Sequence, residues 1–190
     1  QNDNWTQFRA DASRSGHTDN QLSSDLGLSW LIKASAPTPA WVGVHTRIIS
    51  DHSYQPVIKD KLMYYGSSTD HQIHAVNIDS GEEVWTFCTD APVRMAPALW
   101  KDKLFVNSDD GKLYCLSADK GELLWTKKFR ADIYKLGNRR MVSNWPSRGG
   151  IAIKDGILYY GSGIWPSDGI DIVAMDAATE EVKWLNNSSG

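Results

Sequence analysis

Four arginines, two tryptophans and a group of histidines are the side chains of this sequence whose types and spacing suit chemistry. Arg94, Arg139, Arg140 and Arg148 fall within one stretch of 55 residues. A guanidinium grips a carboxylate or sulfate through two parallel hydrogen bonds, so a rim of four would suit an acidic ligand. The same groups serve equally to hold backbone carbonyls or acidic neighbours. Trp145 and Trp165 are each followed by proline. Their flat faces suit a sugar ring, or they pack against each other as filler. Tyr54 and Gln55 stand before an apolar run, as do Arg94 and Arg148. His45 and His52 lie in an irregular stretch where a base or metal ligand is conceivable. His71-x-x-His74 is not a metal signature, and His74 occupies the slot that Tyr114 holds one repeat later, which reads as packing. No metal site is expected. Phosphate-binding loops, nucleophile elbows and HExxH motifs are absent.

These side chains need elements to hold them, and composition narrows the choice. Hydrophobic residues are 41% and charged residues 23% of the 190, which is ordinary for a packed domain. Twenty basic against 23 acidic residues give a net charge of −3, which argues against a nucleic-acid partner. No apolar stretch approaches the roughly 18 residues of a membrane span. Cys88 and Cys115 form neither a CxxC nor a Cys/His zinc pattern. Cys115, in the run Leu113-Tyr114-Cys115-Leu116, reads as a buried small residue. Spacing does not say whether the two are bridged. Nine tryptophans and seven tyrosines are unusual for this length, and point to a repeated packing motif or a binding surface.

Comparing the chain with itself shows the repeat. Ile58-Lys59-Asp60-Lys61-Leu62, Leu99-Trp100-Lys101-Asp102-Lys103-Leu104 and Ile153-Lys154-Asp155-Gly156-Ile157-Leu158 are equivalent, and each unit closes on a tryptophan: Trp85, Trp125 and Trp184. Trp85 and Trp125 stand 40 residues apart, and Trp184 follows after 59 because the third unit carries insertions. Polar turns such as Asp109-Asp110-Gly111 and Asp119-Lys120-Gly121 separate short apolar runs, and no window keeps a helical spacing. Each unit therefore reads as a four-stranded antiparallel sheet of about 40 residues, the size of a propeller blade.

The segment Ala75-Val76-Asn77-Ile78-Asp79-Ser80-Gly81-Glu82-Glu83-Val84-Trp85, and its counterpart from Ala174 to Trp184, resemble the blade signature of the pyrroloquinoline-quinone-like (PQQ-like, BamB-like) β-propellers. Asn77 and Ser117 depart from the aspartate of that signature, and Glu180 from its glycine. The opening from Trp5 to Gly16 is similar to the start of secreted bacterial members. The resemblance implies a structural docking role for Trp30, Trp85, Trp125 and Trp184. It also implies a mature secreted or periplasmic protein. Authentic quinoproteins of the family place a vicinal Cys-Cys ring and a carboxylate/amide calcium site beside the quinone. This stretch has no adjacent cysteines, so a quinone with calcium is expected only if further blades supply the site.

The expected architecture is all-β, an arc of about three blades plus one outer strand of a further blade. Residues 1–50 form an N-terminal segment with a blade-closing strand near 26–32. Residues 51–90 and 91–130 form blades. Residues 131–190 form a blade with a long entry loop and a Trp-bearing hairpin insertion. An arc leaves open sheet faces, so its partners include the remaining blades, from the same or another chain. The candidate ligand residues Tyr54, Gln55, Arg94, Arg139, Arg140, Trp145, Arg148 and Trp165 gather at the mouth of the channel. The functional expectation is a binding or assembly module for a protein or acidic-glycan partner without chemistry of its own. The alternative is an enzyme on the same scaffold, polysaccharide-degrading or a quinoprotein dehydrogenase.

Overall fold

The structure is a computed structural model that describes residues 4–40, 53–137 and 140–189. Three four-stranded antiparallel sheets follow one another, each in simple meander order. The first holds β1 (Val57–Lys59), β2 (Leu62–Gly66), β3 (Gln72–Asn77) and β4 (Glu83–Cys88). The second holds β5 (Ala98–Trp100), β6 (Lys103–Asn107), β7 (Leu113–Ser117) and β8 (Leu123–Lys127). A two-stranded hairpin, β9 (Tyr134–Gly137) and β10 (Arg140–Ser143), precedes the third sheet. That sheet holds β11 (Ala152–Lys154), β12 (Ile157–Ser162), β13 (Ile170–Asp176) and β14 (Val182–Ser189), with a short 3-10 turn, Pro166–Asp168, between β12 and β13. The architecture is that of an open propeller arc.

The turns explain why the repeat forms these strands. Asp60, Lys101 and Asp155 each adopt φ near +50° at the first hairpin of their sheet. Short polar side chains tolerate this left-handed conformation best, and two of the three positions are aspartate. Before the last strand, Asn77 Oδ1 accepts from the amides of Asp79 (2.8 Å) and Ser80 (3.2 Å). Asp176 does the same for Ala178 and Thr179, both at 2.9 Å. The departure at Asn77 thus keeps the turn, because an amide oxygen accepts as a carboxylate does. Ser117 instead accepts from the Glu122 amide at 3.1 Å.

Packing between sheets sets the burial pattern. Tyr64, Ile73 and Ala75 of the first sheet meet Leu104, Val106, Tyr114 and Leu116 of the second. Phe105, Leu113 and Cys115 on the other face of the second sheet meet Leu158, Tyr160, Val173 and Met175 of the third. The middle sheet is therefore covered on both faces and its strands read as unbroken apolar runs. The outer face of the third sheet is not: Tyr159, Ile172 and Trp184 are exposed, Trp184 at 47%. On the open face of the first sheet, Tyr65 stacks on His74 at 4.8 Å. The His74 ring contacts Glu83 through Nδ1 (2.7 Å) and Asp70 through Nε2 (3.1 Å).

The closing tryptophans reach from one unit to the next. Trp30 Nε1 donates to the Ile78 carbonyl at 2.7 Å, and Trp85 Nε1 to the Ala118 carbonyl at 3.1 Å. A Cβ on Gly81 would stand 2.8 Å from the Trp30 ring, and one on Gly121 only 2.4 Å from the Trp85 ring. Glycine is required there by contact as well as by positive φ. The third joint differs. Glu180 holds φ +65° where the others have glycine, and the buried Trp125 Nε1 finds no hydrogen-bond acceptor. Lysines serve this joint instead: Lys103 Nζ donates to the Ala178 carbonyl (3.1 Å) and Lys127 Nζ to the Glu180 carbonyl (2.9 Å). Glu180→Gly is therefore expected to raise stability by about 1 kcal/mol, since the left-handed conformation costs a side-chain residue about that much. Denaturant midpoints of the two proteins check it. Residues 26–32 carry Trp30 into contact with the first sheet but pair with no strand among the described residues.

Candidate functional site

The loops that lead into β5 and β11 and the loops between the two middle strands of the first two sheets lie at one end of the arc. There Asp109 is the centre of a cation–anion cluster. Its Oδ2 accepts from Arg94 Nε at 2.7 Å, and its two oxygens accept from Arg148 Nε (2.9 Å) and Nη2 (3.0 Å). The Arg94 side chain is only 1% exposed and Asp109 6%. Arg94 also donates to the Thr38 carbonyl, which ties the N-terminal segment to this end. Two guanidiniums thus share one carboxylate. Of the four candidate rim arginines, Arg94 and Arg148 are brought together on Asp109, an aspartate that the sequence shows only as part of a turn.

Beside the cluster lies a cavity of about 240 Å³ roofed by the β9–β10 hairpin. Arg140, Tyr134 and Met141 come from the hairpin, and His71, Asp110 and Arg148 from the loops beneath. Asp110 is buried and accepts from the Tyr114 hydroxyl at 2.5 Å and from the Lys112 amide at 2.7 Å. Burial raises the Asp110 carboxyl above its ordinary value, and the Tyr114 hydroxyl offsets this only in part. Burial and the charges of Arg140 and Arg94 lower the His71 imidazole, which favours its neutral form. A raised carboxyl holds its proton more tightly in the folded state, so its contribution to stability is present below about pH 4 and fades as pH rises through the folded value. Asp110→Asn, which keeps an acceptor for Lys112 and offers a donor to Tyr114, is expected to remove this decline. Denaturant midpoints from pH 4 to 8 should fall less steeply in the variant than in the wild type.

The remaining sequence candidates are placed as follows. Trp145 is fixed by its neighbours: Nε1 donates to the Asp168 carbonyl at 2.5 Å, and the Arg130 guanidinium lies 5.5 Å over its ring. Arg130 is in turn held by both oxygens of the buried Asp171 at 2.9 Å. Trp165 is 49% exposed and, with Leu136, lines a second cleft of about 190 Å³. Tyr54 donates to the Ser35 carbonyl at 2.6 Å, and Gln55 Oε1 accepts from the Ala96 amide at 3.0 Å. Both also line an open groove beside the inner strand β1. Arg139, His45 and His52 lie outside the described residues. Cys88 is exposed and Cys115 buried, and neither is bridged. Burial pushes the Cys115 thiol up to about 12, which makes it unreactive. Among the described residues no three His, Cys, Asp or Glu side chains gather as metal ligands.

Stacked four-stranded meanders, each closing on a tryptophan, define a segment of a β-propeller. The chain belongs to the PQQ-type propeller family, whose model, described as outer membrane protein assembly factor BamB, matches residues 34–142. It is similar to quinohemoprotein alcohol dehydrogenase ADH IIB of Pseudomonas putida, with 31% identity over 144 residues, covering 68% of this chain and 19% of the dehydrogenase. It is also similar to the quinohemoprotein alcohol dehydrogenase of Comamonas testosteroni, with 30% identity over 113 residues, 53% of this chain and 14% of that protein. The crystal structure of the Comamonas protein superposes with a TM-score of 0.67 at 22% identity, covering 97% of this chain and 27% of that one. A europium-containing methanol dehydrogenase gives 0.58 at 19% identity, covering 75% and 26%. These superpositions show the fold. The chain spans less than a fifth of the length of the two curated relatives.

Proposed function

We propose that this chain is the binding and assembly segment of a larger secreted or periplasmic PQQ-type propeller, completed by further blades of the same or another polypeptide. The observation that carries this reading is the uncovered apolar face of the third sheet, where Tyr159, Ile172 and Trp184 are exposed together. Side chains of these types gain by removal from water, and a like-shaped sheet is what the other faces of the arc already use. The four tryptophans Trp30, Trp85, Trp125 and Trp184 then act as docking residues, with Trp184 turned toward the next unit. Trp145 is held in place by Arg130 and Asp168, and Arg94 and Arg148 are engaged with Asp109. This favours a protein partner over an acidic glycan.

The names of the relatives favour the alternative of a quinoprotein dehydrogenase. The described residues present neither a vicinal cysteine pair nor a cluster of metal ligands, and the buried Asp109 already engages two guanidiniums at the mouth. They do not by themselves make a site for quinone and calcium. An alcohol-dependent dye-reduction assay on the isolated chain, supplied with the quinone and calcium, is expected to give no signal above the cofactor alone. Reduction above that background would overturn the reading of a segment without chemistry of its own.

A further inference from the structure

We infer that residues Trp5–Gln7 form an axial strap that ties the inner strands of all three blades to one another. Strands β1, β5 and β11 are the first of their sheets, and each leaves one edge unpaired by its own blade. Their middle residues, Ile58, Leu99 and Ile153, occupy equivalent positions of the repeat. The amide of each donates to successive residues of the N-terminal segment. Ile58 N donates to the Trp5 carbonyl at 2.7 Å, and Trp5 N donates back to the Ile58 carbonyl at 2.8 Å. Leu99 N donates to the Thr6 carbonyl at 2.8 Å. Ile153 N donates to Gln7 Oε1 at 2.7 Å, while Gln7 Nε2 donates to the Ile153 carbonyl at 2.9 Å.

One residue of the strap therefore serves one blade, in chain order. At the third blade the side-chain amide of Gln7, in place of the strap's backbone, supplies the acceptor and donor that a strand would. Glutamine is suited to this because its amide carries the same pair of groups as a peptide unit. Gln7 is buried, so both groups would be costly to leave unpaired. Both ends of the strap are fixed as well: Asn4 Oδ1 accepts from the Asp60 amide at 2.9 Å, and Arg14 lies over the Phe8 ring and reaches the Gly150 carbonyl. The strap hides three strand edges that would otherwise invite pairing with another chain. Trp5 of the strap, with Phe8 and Arg9 just beyond it, also lines the open groove that Tyr54 and Gln55 border.

Amide hydrogen exchange on the 190-residue chain tests this. In the wild type the amides of Ile58, Leu99 and Ile153 should exchange at least about a hundredfold more slowly than in an unstructured peptide. In Gln7→Ala the Ile153 amide should exchange about tenfold faster, while the Phe105 and Cys115 amides of the middle sheet keep their rates. Three unprotected amides in the wild type would overturn the strap. An unchanged Ile153 rate in a folded Gln7→Ala protein would do the same. Should the alanine variant fail to fold, Gln7→Met keeps the volume, loses both hydrogen bonds and reports on the same amide.

Discussion

Replacing Asp109 with alanine is expected to destabilise the protein by about 3–5 kcal/mol, because it breaks a largely buried cluster in which one carboxylate engages two guanidiniums. The side chain of Arg94 is almost wholly out of water, and Asp109 is the anion that Arg94 and Arg148 share. Without it, both guanidiniums lose the charge-assisted hydrogen bonds they make to this carboxylate. Removing Arg148 should cost less, since its side chain is 13% exposed and Asp109 keeps the shorter bond to Arg94. Chemical denaturation of Asp109→Ala and Arg148→Ala should therefore rank them in that order. Equal midpoints for Asp109→Ala and the wild type would show that the cluster carries no stability. The loss should also reach the N-terminal segment, because the Thr38 carbonyl is held by the same Arg94.

Trp85→Ala should cost about 2–4 kcal/mol, the usual loss for a large aromatic reduced by its partial exposure. The ring lies 5.8 Å from Tyr64, seats over Gly121 and bonds the Ala118 carbonyl of the next sheet, so its removal opens the joint between two blades. Trp85→Phe, which loses chiefly the indole N–H, should cost about 1 kcal/mol. The equivalent Trp184→Ala in the isolated chain should change stability by less than about 1 kcal/mol, because half of that ring faces water. Denaturant midpoints of the three variants test the comparison. A Trp184→Ala loss as large as that of Trp85→Ala would mean that the third sheet's outer face is already packed.

The repeat was legible because its turns carry their own chemistry. Lys-Asp dipeptides and the Asp-x-Gly turns fix where strands end, and the closing tryptophans mark the period. Glu180 was visible as a departure, and its positive φ shows why glycine is usual there. The site was less legible. Asp109 sits in a turn that any hairpin would use, and its partners lie 15 and 39 residues away. The four arginines read as a rim because sequence gives charge but not direction, and two of them turn inward. The β9–β10 hairpin read as a long loop, since its strands are only four residues each and carry no repeat of the blade pattern. The strap lies in the opening whose resemblance to family members was visible, but that resemblance does not show what its residues bond. Its bonds run through backbone groups and one glutamine, across a separation of 146 residues to Ile153.

The open apolar face of the third sheet is proposed to be covered in the working protein. The most direct measurement of this is the mass of the polypeptide isolated from its natural source, taken both denatured and native. The native mass is expected to lie well above 21.2 kDa, either because the polypeptide itself is longer or because chains of 21.2 kDa associate. A denatured mass above that value places the missing blades in the same chain. A denatured mass of 21.2 kDa with a larger native mass places them in a partner. A native mass of 21.2 kDa would contradict the claim, because the sheet bearing Ile172 and Trp184 would then function bare.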